Sequence, residues 1–283
     1  MMAADDSWTS IHGVKLPRIL YGTAWKKERT AGLVELALAT GFRGIDTACQ
    51  PKHYDEAGVG AGLAAALAKG LRRQDIYLQT KFTPLAGQDP GRIPYDPTAN
   101  LARQVAQSFE RSLANLRTDV LDCLVLHSPL ADPSGFAEVW GAMEAIFESG
   151  GTRQLGISNC YDLEVLRHLC EASKVKPAVV QNRFYAATGH DRGIRACCRQ
   201  HGILYQSFWT LTANPDLLAH DMVKTLMDRH QRTAAQIFFR FLSQMGIIPL
   251  TGTSSAQHMR EDLEIADFAL ADEECRSMAS LLG

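Results

Sequence analysis

Asp46, Tyr54, Lys81 and His127 stand at or just after the ends of three short apolar stretches. These are Arg43-Gly-Ile-Asp-Thr-Ala, Ile76-Tyr-Leu-Gln-Thr-Lys-Phe and Leu121-Asp-Cys-Leu-Val-Leu-His. A carboxylate, a phenol, an amine and an imidazole brought to one rim of a sheet can build a tuned proton donor. A phenol has a pKa of about 10 in water and serves as an acid near neutrality only when a cation stabilises its phenolate. Lys81 would supply that cation, Asp46 would orient the lysine, and His127 would orient a carbonyl. Two other readings of Lys81 stand beside this one. It could brace the rim as a buried ion pair with Asp46, or act as the Schiff-base nucleophile of a lyase.

The elements that must carry these residues alternate along most of the chain. Apolar stretches at 19–23, 43–48, 76–82, 121–127, 153–158, 178–181, 203–207 and 247–251 read as strands. Helical patterns lie near 29–40, 56–69, 98–116, 135–149, 162–172, 191–200, 216–229 and 233–245, with a last helix opening near Ser255. On the third of these, Leu101, Val105, Phe109, Leu113 and Leu116 form one stripe at helical spacing. Residues 84–97 are a Gly/Pro-rich loop. Eight strands, each followed by a helix within 283 residues, predict a single (β/α)8 TIM barrel domain spanning residues 1–283. Residues 7–16, with a turn at His12-Gly13, predict a small hairpin closing the barrel bottom. Strand C-termini carry the chemistry in such barrels, and here they hold Thr23, Asp46, Lys81, His127, Ser158, Gln181, Ser207 and Thr251.

Composition narrows the function classes. Lys and Arg number 29 against 31 Asp and Glu, a net charge of −2 with no basic run, which gives a nucleic-acid partner no electrostatic support. No apolar run reaches membrane-spanning length, and Met1-Met-Ala-Ala-Asp-Asp lacks the apolar core of a signal peptide. The seven cysteines include no Cys-x-x-Cys pair, so neither a metal site nor a disulfide framework is expected. The expectation is a soluble, cytoplasmic protein with a small-molecule partner.

The chain resembles the aldo-keto reductases. The resemblance rests on Leu20-Tyr-Gly-Thr-Ala-Trp25, Gly41-Phe-Arg-Gly-Ile-Asp-Thr-Ala48, Gln79-Thr-Lys-Phe82, Asp119-Val-Leu-Asp-Cys-Leu-Val-Leu-His127, Gly156-Ile-Ser-Asn159, Val180-Gln-Asn182 and Ala234-Ala-Gln-Ile237. It covers residues 7 to about 270, and the motifs are specific when taken together. The resemblance implies a (β/α)8 barrel that reduces aldehydes or ketones with NADPH, or with NADH as the alternative. Tyr54 would protonate the carbonyl oxygen as hydride arrives. Ser158, Asn159 and Gln181 match positions that bind the nicotinamide carboxamide, with Thr23 and Asp46 close by. Ser207 and the loop through Asn214 and Leu217 resemble the stretch that wraps the pyrophosphate. Thr253 and Ser254, opening the last helix, would meet a phosphate. His258, Arg260, Glu261 and Asp262 fall at the adenosine end. Trp25, His53, Phe82, Leu130 and Trp209 would line the substrate pocket. A second function implied by some relatives is a cofactor-binding regulatory or redox-sensing barrel with little catalysis.

Three departures stand out. Pro51 occupies the usual tyrosine position five residues after the aspartate, and Tyr54 follows Asp46 by eight. Counting back from Glu56 puts His53 in that place instead, so His53 and Tyr54 are both candidates for the proton donor. Gln206 replaces the ring that stacks on the nicotinamide, and the lysine common after the last strand is absent, which shifts a 2′-phosphate clamp to His258 and Arg260. The chain also ends at Gly283, soon after its last helix, which predicts an open, permissive pocket.

Overall fold

The computed structural model describes residues 7–283. Strands β1 (Ser7–Thr9) and β2 (Lys15–Pro17) pair antiparallel, with Trp8 opposite Leu16. Gly13 closes the turn at φ 74°, a left-handed conformation that glycine adopts without a Cβ clash. Eight parallel strands then close into a barrel: β3 (Leu20–Gly22), β4 (Gly44–Asp46), β5 (Tyr77–Phe82), β6 (Cys123–Leu126), β7 (Leu155–Ser158), β8 (Val179–Arg183), β9 (Leu204–Phe208) and β10 (Ile247–Thr251). Closure is made where Leu250 and Thr251 of β10 pair with Leu20 and Tyr21 of β3. This is the expected (β/α)8 TIM barrel.

Side-chain alternation with period two divides each strand between two cores. Leu20, Tyr77, Cys123, Val125, Val179 and Ile248 fill the lower barrel interior, and Val14 and Leu16 of the hairpin pack into the same cluster. The hairpin therefore seals the bottom, as expected. Outward-facing residues such as Ile45, Leu78, Leu124 and Val180 join the larger core under the helices.

The helical layer comprises α1 (Thr30–Thr40), α2 (Glu56–Ala68), α3 (Leu101–Leu116), α4 (Pro133–Glu148), α5 (Leu163–Ala172), α6 (Arg192–His201), α7 (Pro215–Ala219), α8 (Asp221–His230), α9 (Ala234–Gln244), α10 (Ala256–Leu263) and α11 (Asp272–Ser280). Local chemistry sets their starts. Asp55, Asn100, Asp132 and Ser255 each accept a backbone N–H of the first turn, and Thr233 with Gln236 forms a capping box. The single helix expected over 216–229 is two, because His220 is extended (ψ 142°) and its ring accepts the Met222 N–H as a new cap. Helix α11 was not expected from the apolar pattern. Among the described residues no helix is long and apolar enough to cross a membrane.

Helices α2 and α3 touch through backbone. A Cβ on Gly60 would lie 2.0 Å from the Asn115 carbonyl oxygen. Helix propensity favours alanine there by about 1 kcal/mol, but backbone cannot step aside as a side chain can. Gly60→Ala is expected to destabilise by about 1–3 kcal/mol, read as a lower midpoint in thermal unfolding. An unchanged or raised midpoint would contradict this close approach.

Candidate active site

Asp46 ends β4, and Lys81 lies on the interior face of the adjacent strand β5. The Lys81 ammonium donates to Asp46 Oδ1 at 2.7 Å, Asp46 Oδ2 at 2.8 Å and the Thr47 carbonyl at 2.8 Å. Its three protons are thus committed, and its side chain is 1% exposed. Burial pulls the amine below the ordinary lysine range, against the upward pull of Asp46. A Schiff-base nucleophile needs an accessible free amine, and Lys81 is the reverse of one.

The displaced tyrosine reaches this centre. The Tyr54 ring centroid lies 5.2 Å from Lys81 Nζ and 6.0 Å from the His127 ring, edge-on. The ammonium faces the ring, and no hydrogen bond joins it to the phenol oxygen. Burial, with the Asp46 charge added, pushes the phenol well above its usual range. Burial thus acts on the phenol in the opposite sense to the Lys81 charge that was expected from the sequence to acidify it. Asp46 takes up the charge that was to have done it, and the half-buried ring is desolvated.

His127 follows β6 and completes the rim. Its Nδ1 lies 2.6 Å from the Thr83 hydroxyl. Burial pushes the imidazole well below its ordinary range, and the nearby Lys81 and His53 charges add to this, so the ring is neutral near pH 7. His53 sits further out. Its ring lies 4.0 Å from that of Trp25, tilted by 38°, and its carbonyl accepts the Trp25 N–H at 2.7 Å. Trp25 is 55% exposed.

Beneath the rim lies a polar layer that sequence reasoning missed. The Gln79 amide donates to Asp46 Oδ1 at 2.6 Å and to Gln206 Oε1 at 2.8 Å. Gln181 makes the same two contacts, each at 2.9 Å, and Tyr77 donates to Gln79 at 2.8 Å. Gln206 is wholly buried and serves this network. The only signal in the sequence was the interior parity of Gln79 and Lys81 on β5.

The remaining expected residues divide by where their side chains turn. Thr23 is buried with its hydroxyl on the Asp46 carbonyl, and the Ser158 hydroxyl donates to the Gln181 carbonyl. Asn159 donates to the His127 carbonyl at 2.8 Å. Ser207 is buried and accepts from Thr210 at 2.9 Å, while the Asn214 amide donates to the Phe184 and Thr210 carbonyls. Asp262 is buried, pushed up to about 6 by desolvation, with the Thr251 hydroxyl against its carboxyl. That burial turns it away from an outward-facing adenosine position. His258 and Arg260 are exposed.

Phe82 corrects the pocket expectation. It alternates with Lys81, so it faces the helices and packs 5.7 Å from Tyr95, outside the barrel. Leu130 is half-buried against the helical core. Trp209 is 49% exposed at the mouth.

A second missed group is Lys26, whose ammonium crosses the mouth to the Gly252 carbonyl. Burial lowers it, and the neighbouring Arg29 charge lowers it further. Among the described residues neither cation has a carboxylate partner. A Cβ on Gly252 would fall 3.6 Å from this ammonium, an ordinary contact distance.

A closed barrel with this carboxylate–ammonium–phenol–imidazole group defines a class of carbonyl oxidoreductase, and the comparisons agree. The sequence profile of the Aldo/keto reductase family matches residues 18–213. An aldo-keto reductase of Mycobacterium sp. (strain KMS) is 30% identical over 271 residues, covering 95% of this chain and 90% of the relative. Glyoxal reductase of Bacillus subtilis (strain 168) is 27% identical over 248 residues, covering 88% and 82%. The crystal structure of an aldo/keto reductase from Brucella melitensis superposes with a TM-score of 0.82 at 26% identity, covering 97% of this chain and 98% of that one. The chain belongs to the aldo/keto reductase family. It is an oxidoreductase of the carbonyl/alcohol pair, and NADP(H) is the cofactor of that family.

Proposed function

We propose that this chain is a cytoplasmic, single-domain reductase of small aldehydes and ketones, in which Tyr54 is the proton donor. The carrying observation is that the Tyr54 ring stands against both Lys81 and His127, while its hydroxyl has no hydrogen bond among the described residues. A phenol without a partner at a polar rim is available to a substrate oxygen.

The residues at the mouth fit a dinucleotide. Lys26 and Arg29, two cations without a carboxylate partner among the described residues, suit a pyrophosphate. The first turn of α10, with Thr253 and Ser254 before it, offers N–H and hydroxyl donors to a phosphate. Ser158, Asn159 and Gln181 would face the carboxamide, with Gln181 turning out of its present bonds. Gln206 is too deep to stack on a ring. Bound NADPH would supply the hydride.

The proton side of the reaction follows from the geometry. A phenol pushed upward stays protonated at working pH, and it is still more acidic than the alcohol that the substrate alkoxide becomes. The proton therefore moves downhill from Tyr54 to that oxygen. The Lys81 ammonium then faces the ring that has become anionic. His127, neutral, offers Nε2–H to the carbonyl oxygen when Nδ1 accepts the Thr83 proton. A regulatory barrel would not require this free phenol.

Two measurements test the reading. Purified enzyme should consume NADPH with a panel of aromatic aldehydes and α-keto esters, and no consumption with any of them would reject it. Carbonyl reduction should also be flat from about pH 7 to about pH 9, since the depressed His127 and the raised Tyr54 both titrate outside that range. Alcohol oxidation needs the phenolate, so it should instead climb with pH through the same window. A reduction rate falling steadily across it would place another acid at the centre.

A further inference from the structure

Arg183 ends β8 on the same face as Gln181, one pleat nearer the mouth. Lys81 holds the same relation to Gln79 on β5, and His127 to Val125 on β6, so the three side chains crown one interior. The Arg183 guanidinium lies 4.2 Å from the centroid of the Trp209 ring and 5.3 Å from that of Tyr185. Its Nε is buried without a hydrogen-bond partner, and no carboxylate among the described residues pairs with it. The half-buried Arg73 and Arg232 are by contrast matched with Asp122 and Glu264, and Arg43 donates to the Leu38 and Phe42 carbonyls. Aromatic faces hold the cation and fix its plane, but they accept no in-plane hydrogen bond. What remains unmet is a planar fork of donors, the geometry that suits a carboxylate or phosphate.

The backbone that carries the fork is tied to the reaction centre. The Arg183 backbone N–H donates to the Tyr161 oxygen at 3.1 Å, and Tyr161 donates to Asn159 Oδ1 at 3.3 Å. Asn159 in turn donates to the His127 carbonyl. Only β7 lies between β6 and β8, which puts the two strand ends roughly 10 Å apart. Arginine and histidine side chains both reach into that gap, so a molecule of a few bonds spans it.

We propose that Arg183 is a carboxylate-binding group for the substrate, and that the enzyme acts on aldehydes or ketones bearing a carboxylate a few bonds from the carbonyl. This rests on the reductase reading above. The same fork could instead grip the pyrophosphate of the cofactor, and the test separates the two.

The probes are 4-carboxybenzaldehyde and its neutral methyl ester, methyl 4-formylbenzoate, each assayed with NADPH. The wild type should favour the acid in kcat/KM. Arg183→Met should lower the acid-to-ester ratio about 10- to 100-fold through KM, the worth of one charge-assisted pair. The ratio cancels any general loss from misfolding, and Arg183→Lys should restore part of it. An unchanged ratio with NADPH affinity weakened, read by fluorescence titration, assigns the fork to the pyrophosphate and overturns the proposal. An unchanged ratio with unchanged affinity overturns it too. Failure of the wild type to reduce either aldehyde rejects the reductase reading, and this inference with it.

Discussion

Lys81→Met is expected to lose catalysis and a large part of its stability together. The ammonium is buried on a bidentate carboxylate, and removing one partner of such a pair leaves the other charge uncompensated, at about 3–5 kcal/mol. Gln79 and Gln181 still donate to Asp46, so the cost should fall at the lower end of that range. The thermal midpoint should drop by roughly 10 °C, given about 2–4 °C per kcal/mol for a chain of this size. Pairing the change with Asp46→Asn separates fold from chemistry. The double variant should recover stability, because no buried charge is left alone, and should stay inactive, because no cation faces Tyr54. A double variant as active as the wild type would show that Lys81 serves only the fold.

Tyr54→Phe is expected to reduce kcat about 10²- to 10⁴-fold, the usual worth of a positioned general acid. The change keeps the ring against Lys81 and His127 and removes only the hydroxyl, which has no hydrogen bond among the described residues. Thermal stability should therefore hold, and NADPH affinity with it. Lost activity in a stable, cofactor-binding protein is the signature of a missing proton, since a packing defect would move the melting midpoint as well.

Much of the architecture was legible because each strand is a short apolar run and several helices end near a glycine. Gly41, Gly70, Gly150 and Gly202 all stand in left-handed conformations. The Asp46–Lys81 pair was legible because a lysine ending a buried strand needs a counter-charge on its neighbour. The glutamine layer was not, since it depends on register across the barrel. Gln79 and Gln206 are 127 residues apart and meet only when the sheet closes. Lys26 and Gly252 meet for the same reason. The misplaced Phe82 was readable from its parity with Lys81, and the family motif outweighed that parity. The break at His220 turns on one residue's ψ, which no periodicity records. The direction of the Tyr54 shift required knowing that the ring is desolvated by burial and that the Asp46 charge stands near it.

The choice between Tyr54 and His53 bears most directly on the mechanism. Single-turnover oxidation of bound NADPH by an aromatic aldehyde should be timed in wild type, Tyr54→Phe and His53→Phe, with cofactor saturation checked by fluorescence. Tyr54→Phe should lose at least about 10² in rate, and His53→Phe should stay within about tenfold of wild type, because the His53 ring packs on Trp25 at the outer wall. The opposite pattern, a near-normal Tyr54→Phe and a silent His53→Phe, would contradict it and move the proton donor to the imidazole.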